Sequence, residues 1–510
     1  MNKLARLLTL SLGLTTATTS IAEPWVDTSN TFLRSDIQLL ADQGIIKTPV
    51  TTFPLMWHDI ARDLKATNLS LLDKRSQNAF LHIRHQLRLA KRNQKTIEFN
   101  AASDHRRFTS FGDSFRNKNN LTIKTSFLTD SFAVKLSPSY TSSETDGDDA
   151  RFDGSYAAAF IGNWVFSVGK QDRWWGPGWD SSLSLTNNAR PMTTLALSRK
   201  SAQAFELPFT SVQIPWTVTS FMGKMDDDRV VKNTLLWGFR FNFKPADTVE
   251  IGITRLAQWA GDGRKRDFSK FIDVLKGLDN CGGVGPSVEE CADGEEPGNQ
   301  MAGYDIRWSP TILSQPFGLY FTSFAEDGDS KGGLSLLGEE RYQYGIDTQI
   351  SAFNYNWRLF IESTDTFTNC TDGEDPNDPQ GKLGNCYYEH HIYQTGMRFK
   401  GRAIGNLYES DASSLVVGLT SQVHNDTSLE LKLRWLELNN DNSDKAPENA
   451  QIGNTLTSIA EDMLMLSGKY QYSYKNWRYT LGASLSQSSF ENDIDDKNDV
   501  NAYINIEYNL

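Results

Sequence analysis

The sequence predicts a closed antiparallel transmembrane β-barrel of about 18 strands, preceded by a small α-helical bundle. Three observations predict this fold. Apolar and polar residues alternate with period two from Thr96 to the C-terminus. The predicted strands are about 9 to 12 residues long, which suits a tilted strand that crosses a bilayer. The connections alternate between short and long, as the two ends of a membrane barrel require.

The alternation is regular over whole strands. In one strand the apolar residues Trp237, Phe239, Phe241 and Phe243 alternate with Gly238, Arg240, Asn242 and Lys244. In another, Leu429, Leu431, Leu433 and Trp435 alternate with Glu430, Lys432 and Arg434. A soluble β-sandwich alternates in the same way. Aromatic residues near strand ends favour the membrane barrel, because interfacial girdles lie there: Trp237, Trp308, Tyr320, Trp357 and Trp477.

The connections support the same fold and contain one irregularity. Short ones lie at 129–130, 162–163, 245–247, 354–355 and 475–476. Long ones lie at 142–154, 260–299, 326–340, 366–389 and 440–462. The alternation of short and long connections can be followed from either end of the chain. The two counts disagree by one element near 391–411. Either one strand there is misjudged, or the segment leaves the wall and enters the lumen. Bulky charges on the polar strand faces indicate a filled barrel rather than a wide water channel.

The N-terminal residues predict a signal peptide followed by helices. Lys3 and Arg6 precede an apolar stretch, and Ser20-Ile21-Ala22 has the small residues of a cleavage site. Further on, Leu33, Ile37, Leu40 and Ala41 recur at helical spacing before Gly44, and a second helix spans 57–64. A third from Ser70 to Arg92 places Phe80, Ile83, Leu87 and Ala90 on one face. We expect residues 1–22 to be the signal peptide, 23–94 a periplasmic helical bundle, and 95–510 an outer-membrane barrel with extracellular loops.

Charge and cysteine content narrow the function. The formal net charge is −12, and an acidic chain is a poor nucleic-acid binder because phosphate contacts need clustered Lys and Arg. The four cysteines form two local pairs, Cys281 with Cys291 and Cys370 with Cys386. In an exported protein these pairs predict two loop-closing disulfides, with a metal site as the alternative. Oxygen-rich Asp372–Asp378 has workable calcium spacing, although solvated loop charge is the favoured reading. We expect neither a bound metal nor another cofactor.

Two long motifs stand out from the strand pattern. The first is Gly169-Lys-Gln-Asp-Arg-Trp-Trp-Gly-Pro-Gly-Trp-Asp180, which continues through Thr186-Asn-Asn-Ala-Arg-Pro191. The second is His390-His-Ile-Tyr-Gln-Thr-Gly-Met-Arg-Phe-Lys-Gly-Arg-Ala-Ile-Gly405. Together with Leu33-Arg-Ser-Asp-Ile-Gln-Leu-Leu-Ala-Asp-Gln-Gly44, they resemble the Wzi-type capsule assembly family, from about Trp25 to the C-terminus.

The resemblance implies an outer-membrane lectin. Members of that family have a barrel with a periplasmic helical bundle, bind group 1 capsular polysaccharide as it emerges, and organise it on the cell surface. They are not the export channel. The resemblance carries over no catalytic motif. The implied partners are capsular polysaccharide, outer-membrane lipid and lipopolysaccharide, together with the polysaccharide export machinery as a further candidate. We expect a monomer.

The chemistry of saccharide binding selects candidate residues within the motifs. Aromatic rings stack on the C–H faces of sugars, and polar groups bind hydroxyls or uronate carboxylates. The first motif offers the rings Trp174, Trp175 and Trp179 and the polar groups Asp172, Arg173, Asn187, Asn188 and Arg190. The second offers Tyr393, Arg398 and Arg402. The alternative is structural. The first motif then folds into the lumen as a plug, and the second supplies wall residues in a charge network.

Three classes of function fit these observations: a surface lectin, a diffusion channel for small saccharides, and an outer-membrane hydrolase. A channel needs an open lumen, which bulky inward charges disfavour. A hydrolase needs an activated nucleophile, and the chain has no G-x-S-x-G motif. A glycosidase with paired carboxylates remains compatible with the many acidic residues. The sequence favours the lectin and a non-enzymatic role.

Overall fold

A computed structural model describes most of the chain: residues 23–92, 95–113, 115–208, 210, 212–226, 228–276, 298–313, 315–326, 339–352, 355–368, 387–390, 392–424, 426–442, 454–491 and 494–510. The predicted signal peptide, the four cysteines and the Asp372–Asp378 stretch lie outside these residues. The signal peptide and the two disulfides therefore stay predictions.

Three helices precede the barrel: α1 Thr31–Asp42, α2 Trp57–Ala66 and α3 Lys74–Ala90. The side chain of Asn30 caps α1 by accepting from the Leu33 amide at 3.0 Å, and Gly44 follows the helix with the positive φ of +70° that a helix end favours. In the described part of the chain, no helix is long and apolar enough to cross a membrane.

The predicted third helix is divided. A 3-10 turn spans Leu69–Leu71, and α3 starts only at Lys74. Asp73 is the reason, because its side chain accepts from the Ser76 amide at 2.9 Å and so acts as an N-cap. The predicted apolar face is confirmed, since Phe80, Ile83, Leu87 and Ala90 are all buried.

The barrel has 18 antiparallel strands, which confirms the predicted fold class. The first nine are β1 Lys95–Ala102, β2 Asn119–Leu128, β3 Phe132–Leu136 with Ser139–Tyr140, β4 Ala150–Arg151 with Tyr156–Ile161, β5 Trp164–Gly169, β6 Thr193–Arg199, β7 Trp216–Lys224, β8 Leu235–Ala246 and β9 Val249–Trp259. The others are β10 Gly298–Trp308, β11 Gln315–Glu326, β12 Glu339–Ala352, β13 Tyr355–Asp365, β14 Ala412–His424, β15 Thr427–Leu438, β16 Glu461–Tyr474, β17 Trp477–Phe490 and β18 Lys497–Asn509.

Pairing of the last strand with the first closes the barrel. Strand β18 runs antiparallel to β1, with Tyr503 opposite Ala102 and Asn509 opposite Thr96. Closure gives every wall strand a hydrogen-bonding neighbour on both sides, so no open sheet edge is left in the bilayer. Helix α4, Phe268–Lys276, lies in the long connection after β9.

Burial along the strands is the reverse of that in a soluble protein. In β15 the outward residues Leu431 and Trp435 are exposed, whereas the inward residues Glu430, Lys432 and Arg434 are buried. An apolar exterior around a charged interior suits a wall that faces lipid, because lipid replaces water as the surrounding solvent. The predicted alternation therefore assigns the two faces of the wall correctly.

Three long connections turn into the lumen. The first luminal segment is 170–192, between β5 and β6, and the second luminal segment is 387–411, before β14. The inward loop is 103–118, between β1 and β2. Strand β13 pairs directly with β14, so no wall strand lies between them. Of the two explanations for the irregularity near 391–411, the structure confirms that the segment enters the lumen.

Candidate functional site

The first luminal segment is joined to the helical region by backbone pairing. Its residues Trp174 and Trp175 form a short antiparallel ladder with Phe53 and Thr52, which precede α2. The rings of Trp174, Trp175 and Trp179 are at most 2% exposed. The indole of Trp174 donates to the Gly178 carbonyl at 3.1 Å, and that of Trp179 donates to Asp347 of β12 at 3.1 Å. All three rings pack inside the barrel.

The polar candidates of this segment bind other parts of the protein. Arg190 forms ion pairs at 2.7 to 2.9 Å with Asp146 and Asp148, in the connection between β3 and β4, and with Asp153, between the two parts of β4. These carboxylates hold the pKa of Arg190 above its usual value against the effect of burial. Arg190 therefore attaches the first luminal segment to a long loop.

The other polar candidates of the first motif make similar internal contacts. Arg173 donates to Thr194 of β6 at 3.0 Å, and Arg116 pairs with Asp172 at 3.1 Å. The amide of Asn187 reaches the Thr28 carbonyl at 3.4 Å, and that of Asn188 reaches the Ala403 carbonyl at 3.3 Å. Asp172 is the most accessible of the group, with a side chain 32% exposed.

The candidates of the second motif are also engaged inside the protein. The Tyr393 hydroxyl donates to the Ala260 carbonyl at 3.1 Å. Arg398 pairs with Glu389 and Glu409, each at 2.5 Å. Arg402 donates to the carbonyls of residues 106 and 107 at 2.9 and 2.8 Å, and so connects the second luminal segment to the inward loop. These geometries favour the structural interpretation of both motifs.

Two carboxylates fix the first luminal segment to the wall. Glu362 of β13 accepts from the backbone amides of Trp179 at 2.6 Å and Ser181 at 2.8 Å. Asp180 pairs with Arg434 of β15 at 2.7 Å and with Lys432 at 3.1 Å. Burial alone would raise the pKa of Asp180, but these two cations hold it well below its usual range. The first luminal segment is therefore fixed in the lumen by buried charge pairing.

Sequence reasoning missed a cavity at the barrel end that carries the long connections. This cavity, here called the vestibule, has a volume of about 450 Å³. It lies between the inward loop and the ends of β16, β17 and β18, and its walls include His105, Arg107, Phe108, Leu456, Thr457, Met463, Ser484, Ser486, Ser488, Phe490, Lys497, Asp499 and Asn501. Rings, hydroxyls, an amide and paired charges are therefore available around one space.

The sequence carries one faint signal for the vestibule. Inward positions of β8 and β15 hold bulky charged residues such as Arg240 and Arg434, whereas those of β17 hold Ser484, Ser486 and Ser488. Small inward side chains leave space beside the wall. Alternation alone could not show whether a luminal segment fills that space, and neither of the two described luminal segments lines it.

A closed wall with a lipid-facing exterior and a lumen filled by interlocked segments defines a plugged transmembrane β-barrel. Comparison with known proteins then specifies the family. Residues 88–502 match the family model described as capsule assembly protein Wzi, so the chain belongs to that family. Transmembrane barrels of this kind span the bacterial outer membrane, and this chain is an outer-membrane β-barrel.

One known protein and one solved structure are similar to this chain over most of its length. An uncharacterized 55.8 kDa protein in the cps region of Klebsiella pneumoniae is 29% identical over 345 residues, which cover 66% of this chain and 64% of that protein. The match thus spans somewhat less than two thirds of that relative. A solved structure of Wzi from Escherichia coli, a carbohydrate-binding β-barrel involved in group 1 capsule assembly, superposes with a TM-score of 0.76 at 23% identity. That alignment covers 96% of this chain and 99% of the other, and it supports the shared fold.

Within the described residues, no cluster of three or more His, Cys, Asp or Glu side chains is arranged to hold a metal ion. His82, one of a histidine pair on α3, instead lies 2.6 Å from the carboxylate of Asp36. This pairing gives His82 a structural partner between α1 and α3.

Proposed function

We propose that this protein binds capsular polysaccharide at the cell surface and holds it against the outer membrane. The observation that carries the proposal is the lumen, which two segments fill and in which Asp180 and Glu362 fix the first segment to the wall. A barrel filled in this way suits a scaffold that presents a surface better than a wide channel for a polymer. Capsule assembly by the family and carbohydrate binding by the solved relative support this role.

The orientation follows from the connections. Short turns in outer-membrane barrels face the periplasm, and long loops face outward. In this chain the helical region joins β1 at the short-turn end, and this supports a periplasmic position for α1 to α3. The vestibule then opens at the cell surface, where an emerging polymer arrives. Contacts with lipopolysaccharide, a monomeric state and docking to the export machinery belong to the same proposal.

The vestibule is the site we propose for the polymer. Its volume of about 450 Å³ lies in the range of small-molecule sites and suits a few sugar residues. The rings of Phe108 and Phe490 can stack on sugar C–H faces, and Thr457, Ser486 and Asn501 can bind hydroxyls. Arg107 lies 2.5 Å from Glu461, so a bound uronate would compete with that carboxylate for the guanidinium. The role is binding rather than catalysis.

The binding test fills the vestibule with a bulky side chain. Ser486→Trp places an indole in it, whereas Leu485→Trp, one residue earlier, faces lipid on the same strand and is the matched control. With purified barrels and oligosaccharides prepared from the capsule of the parent strain, we expect Ser486→Trp to weaken binding about tenfold or more. The control should bind as the parent does. Equal binding by both variants would move the site away from the vestibule.

The cellular test removes the whole protein. We expect a deletion strain to make polymer normally but to release capsule into the medium, and we expect the intact gene to restore surface capsule. The measurement is the ratio of cell-attached to free polysaccharide. Unchanged attachment in the deletion strain would refute the proposed function.

A further inference from the structure

The lumen is not filled evenly around its circumference. Beside the luminal segments, the vestibule occupies one end, and a second cavity of about 630 Å³ occupies the other. This second cavity, here called the basal cavity, lies between α3 and the short-turn ends of β16, β17, β18, β1 and β2. The two cavities share four lining residues: Arg106, Asp113, Lys469 and Tyr503. These four residues, here called the septum, stand where the cavities meet.

The septum consists of side chains that hold one another by charge. Arg106 and Asp113, both on the inward loop, pair at 3.0 Å. Lys469 of β16 lies 3.8 Å from Asp113 and 3.2 Å from Glu430. The Arg106 guanidinium also lies 4.6 Å from the ring centroid of Tyr503, in a cation–π contact.

The inward loop is anchored on both sides of the septum. The Arg106 amide donates to the Arg116 carbonyl at 3.0 Å, which joins the two arms of the loop. At the tip, the Gly112 amide donates to the Thr28 carbonyl at 2.8 Å. The loop backbone is therefore held in place, and the long side chains of Arg106 and Lys469 lie at the boundary between the two cavities.

The basal cavity has a charge opposite to that of the whole protein. Eight Lys and Arg line it against four Asp and Glu, although the chain carries −12 overall. The cations are Arg92, Lys95, Arg106, Lys124, Lys135, Lys469, Lys475 and Arg478. In the described part of the chain, no carboxylate lies within ion-pair distance of the exposed side chains of Arg92, Lys95 or Lys475. A cavity of one charge sign with low-dielectric walls concentrates ions of the other sign.

We propose that the barrel contains a side path for small inorganic anions, which runs beside the luminal segments from the basal cavity to the vestibule and is closed by the septum. This inference goes beyond polysaccharide binding, because it concerns ions and the part of the lumen that the luminal segments leave empty. The path needs no movement of the luminal segments. It opens when the septum side chains are removed or displaced.

The experiment measures ion conductance of purified barrels in planar bilayers with KCl. Arg106→Ala/Lys469→Ala removes the two longest side chains of the septum, and Tyr503→Ala is a second variant that keeps both cations. We expect the parent to stay at the background conductance of the bilayer and each variant to rise about tenfold above that background, because pore width sets conductance. In a KCl gradient, the reversal potential should show preference for chloride.

Two further variants make the result specific. Adding Ser484→Trp, which fills the vestibule end of the path, should return the septum variants to the parent conductance. Lys118→Ala/Lys65→Ala removes two cations that do not line either cavity, and this control should stay closed. The proposal would be overturned if the septum variants folded but stayed closed, or if the parent conducted as well as they do. Preference for cations over chloride would also overturn it. Glycan binding by the parent is independent of all these outcomes.

Discussion

Arg34 of α1 donates a hydrogen bond of 2.6 Å to the carbonyl oxygen of Gly178 in the first luminal segment. The same guanidinium donates to the Pro177 carbonyl at 3.1 Å and lies 4.4 Å from the ring centroid of Trp179. Arg34 is 3% exposed. These contacts join α1 to the first luminal segment through a buried side chain. A substitution that destabilises α1 therefore also affects the packing of that segment.

Arg34→Met tests that connection. The substitution keeps most of the side-chain volume but removes the donors to two carbonyls, and we expect a loss of about 2 to 4 kcal/mol of stability. The measurement is the temperature at which the folded band converts to the unfolded band on denaturing gels. Lys65→Ala, at an exposed position on α2, is the control and should convert at the parent temperature. A parent-like Arg34→Met barrel would show that the contact adds little.

Asp180→Asn tests the ion pairs that fix the first luminal segment to the wall. The change leaves Arg434 and Lys432 buried without their shared carboxylate, and we expect a loss of about 3 to 5 kcal/mol. Protease cleavage within 170–192 should also become faster, since the segment loses its attachment. Asp104→Asn removes a carboxylate that is 67% exposed and should change neither measurement. If both variants behaved alike, buried pairing would not be what holds the segment.

The second luminal segment predicts a dependence of stability on pH. Burial raises the pKa of Glu389 to about 7, with Glu409 adding to the effect and Arg398 opposing it. The folded state therefore keeps the Glu389 proton at a pH where the unfolded chain has released it. Stability from this group is complete below an ordinary pKa of 4.5 and falls as pH rises to about 7. Asp411, whose pKa burial also raises to about 7, acts in the same direction.

Glu389→Gln isolates that contribution. Between pH 5 and pH 8 we expect the parent to lose about 2 to 3 kcal/mol more stability than the variant, because glutamine does not titrate. Conversion temperatures measured at several pH values give the two slopes. Asp411 still titrates in the variant, so a residual slope is expected. Identical slopes for the parent and Glu389→Gln would contradict the prediction.

Substitutions of Trp174 distinguish a structural role in the first luminal segment from direct contact with sugar. Its ring is 0% exposed, so Trp174→Phe keeps an aromatic filler and removes the hydrogen bond to Gly178. We expect a stability loss of about 1 to 2 kcal/mol and unchanged glycan affinity. Trp174→Ala should cost about 3 to 5 kcal/mol because it leaves a cavity. Weaker glycan binding by a stable Trp174→Phe barrel would favour direct contact between this ring and the polymer.

The wall of this protein follows from its sequence alone. Period-two alternation is a local property, since each residue and the one two places later share a face of a strand. It therefore predicts the inward and outward faces of β8 and β15 without knowledge of their neighbours. The bilayer length of the strands and the alternation of short and long connections then predict that these strands form a closed membrane barrel. The sequence also located the irregular stretch near 391–411, but it left open whether a strand was misjudged there or the segment entered the lumen.

The filling of the lumen was decided only by the tertiary structure. Asp180 meets Arg434, which is 254 positions away in the sequence, and Arg34 meets Gly178 from a helix that precedes the first wall strand. No local pattern encodes such pairs, because they form across a space that exists only after the wall has closed. For the same reason, the motif tryptophans have the residue types of a sugar site but pack inside the plug. The vestibule forms where the small inward serines of β17 contact neither of the two described luminal segments.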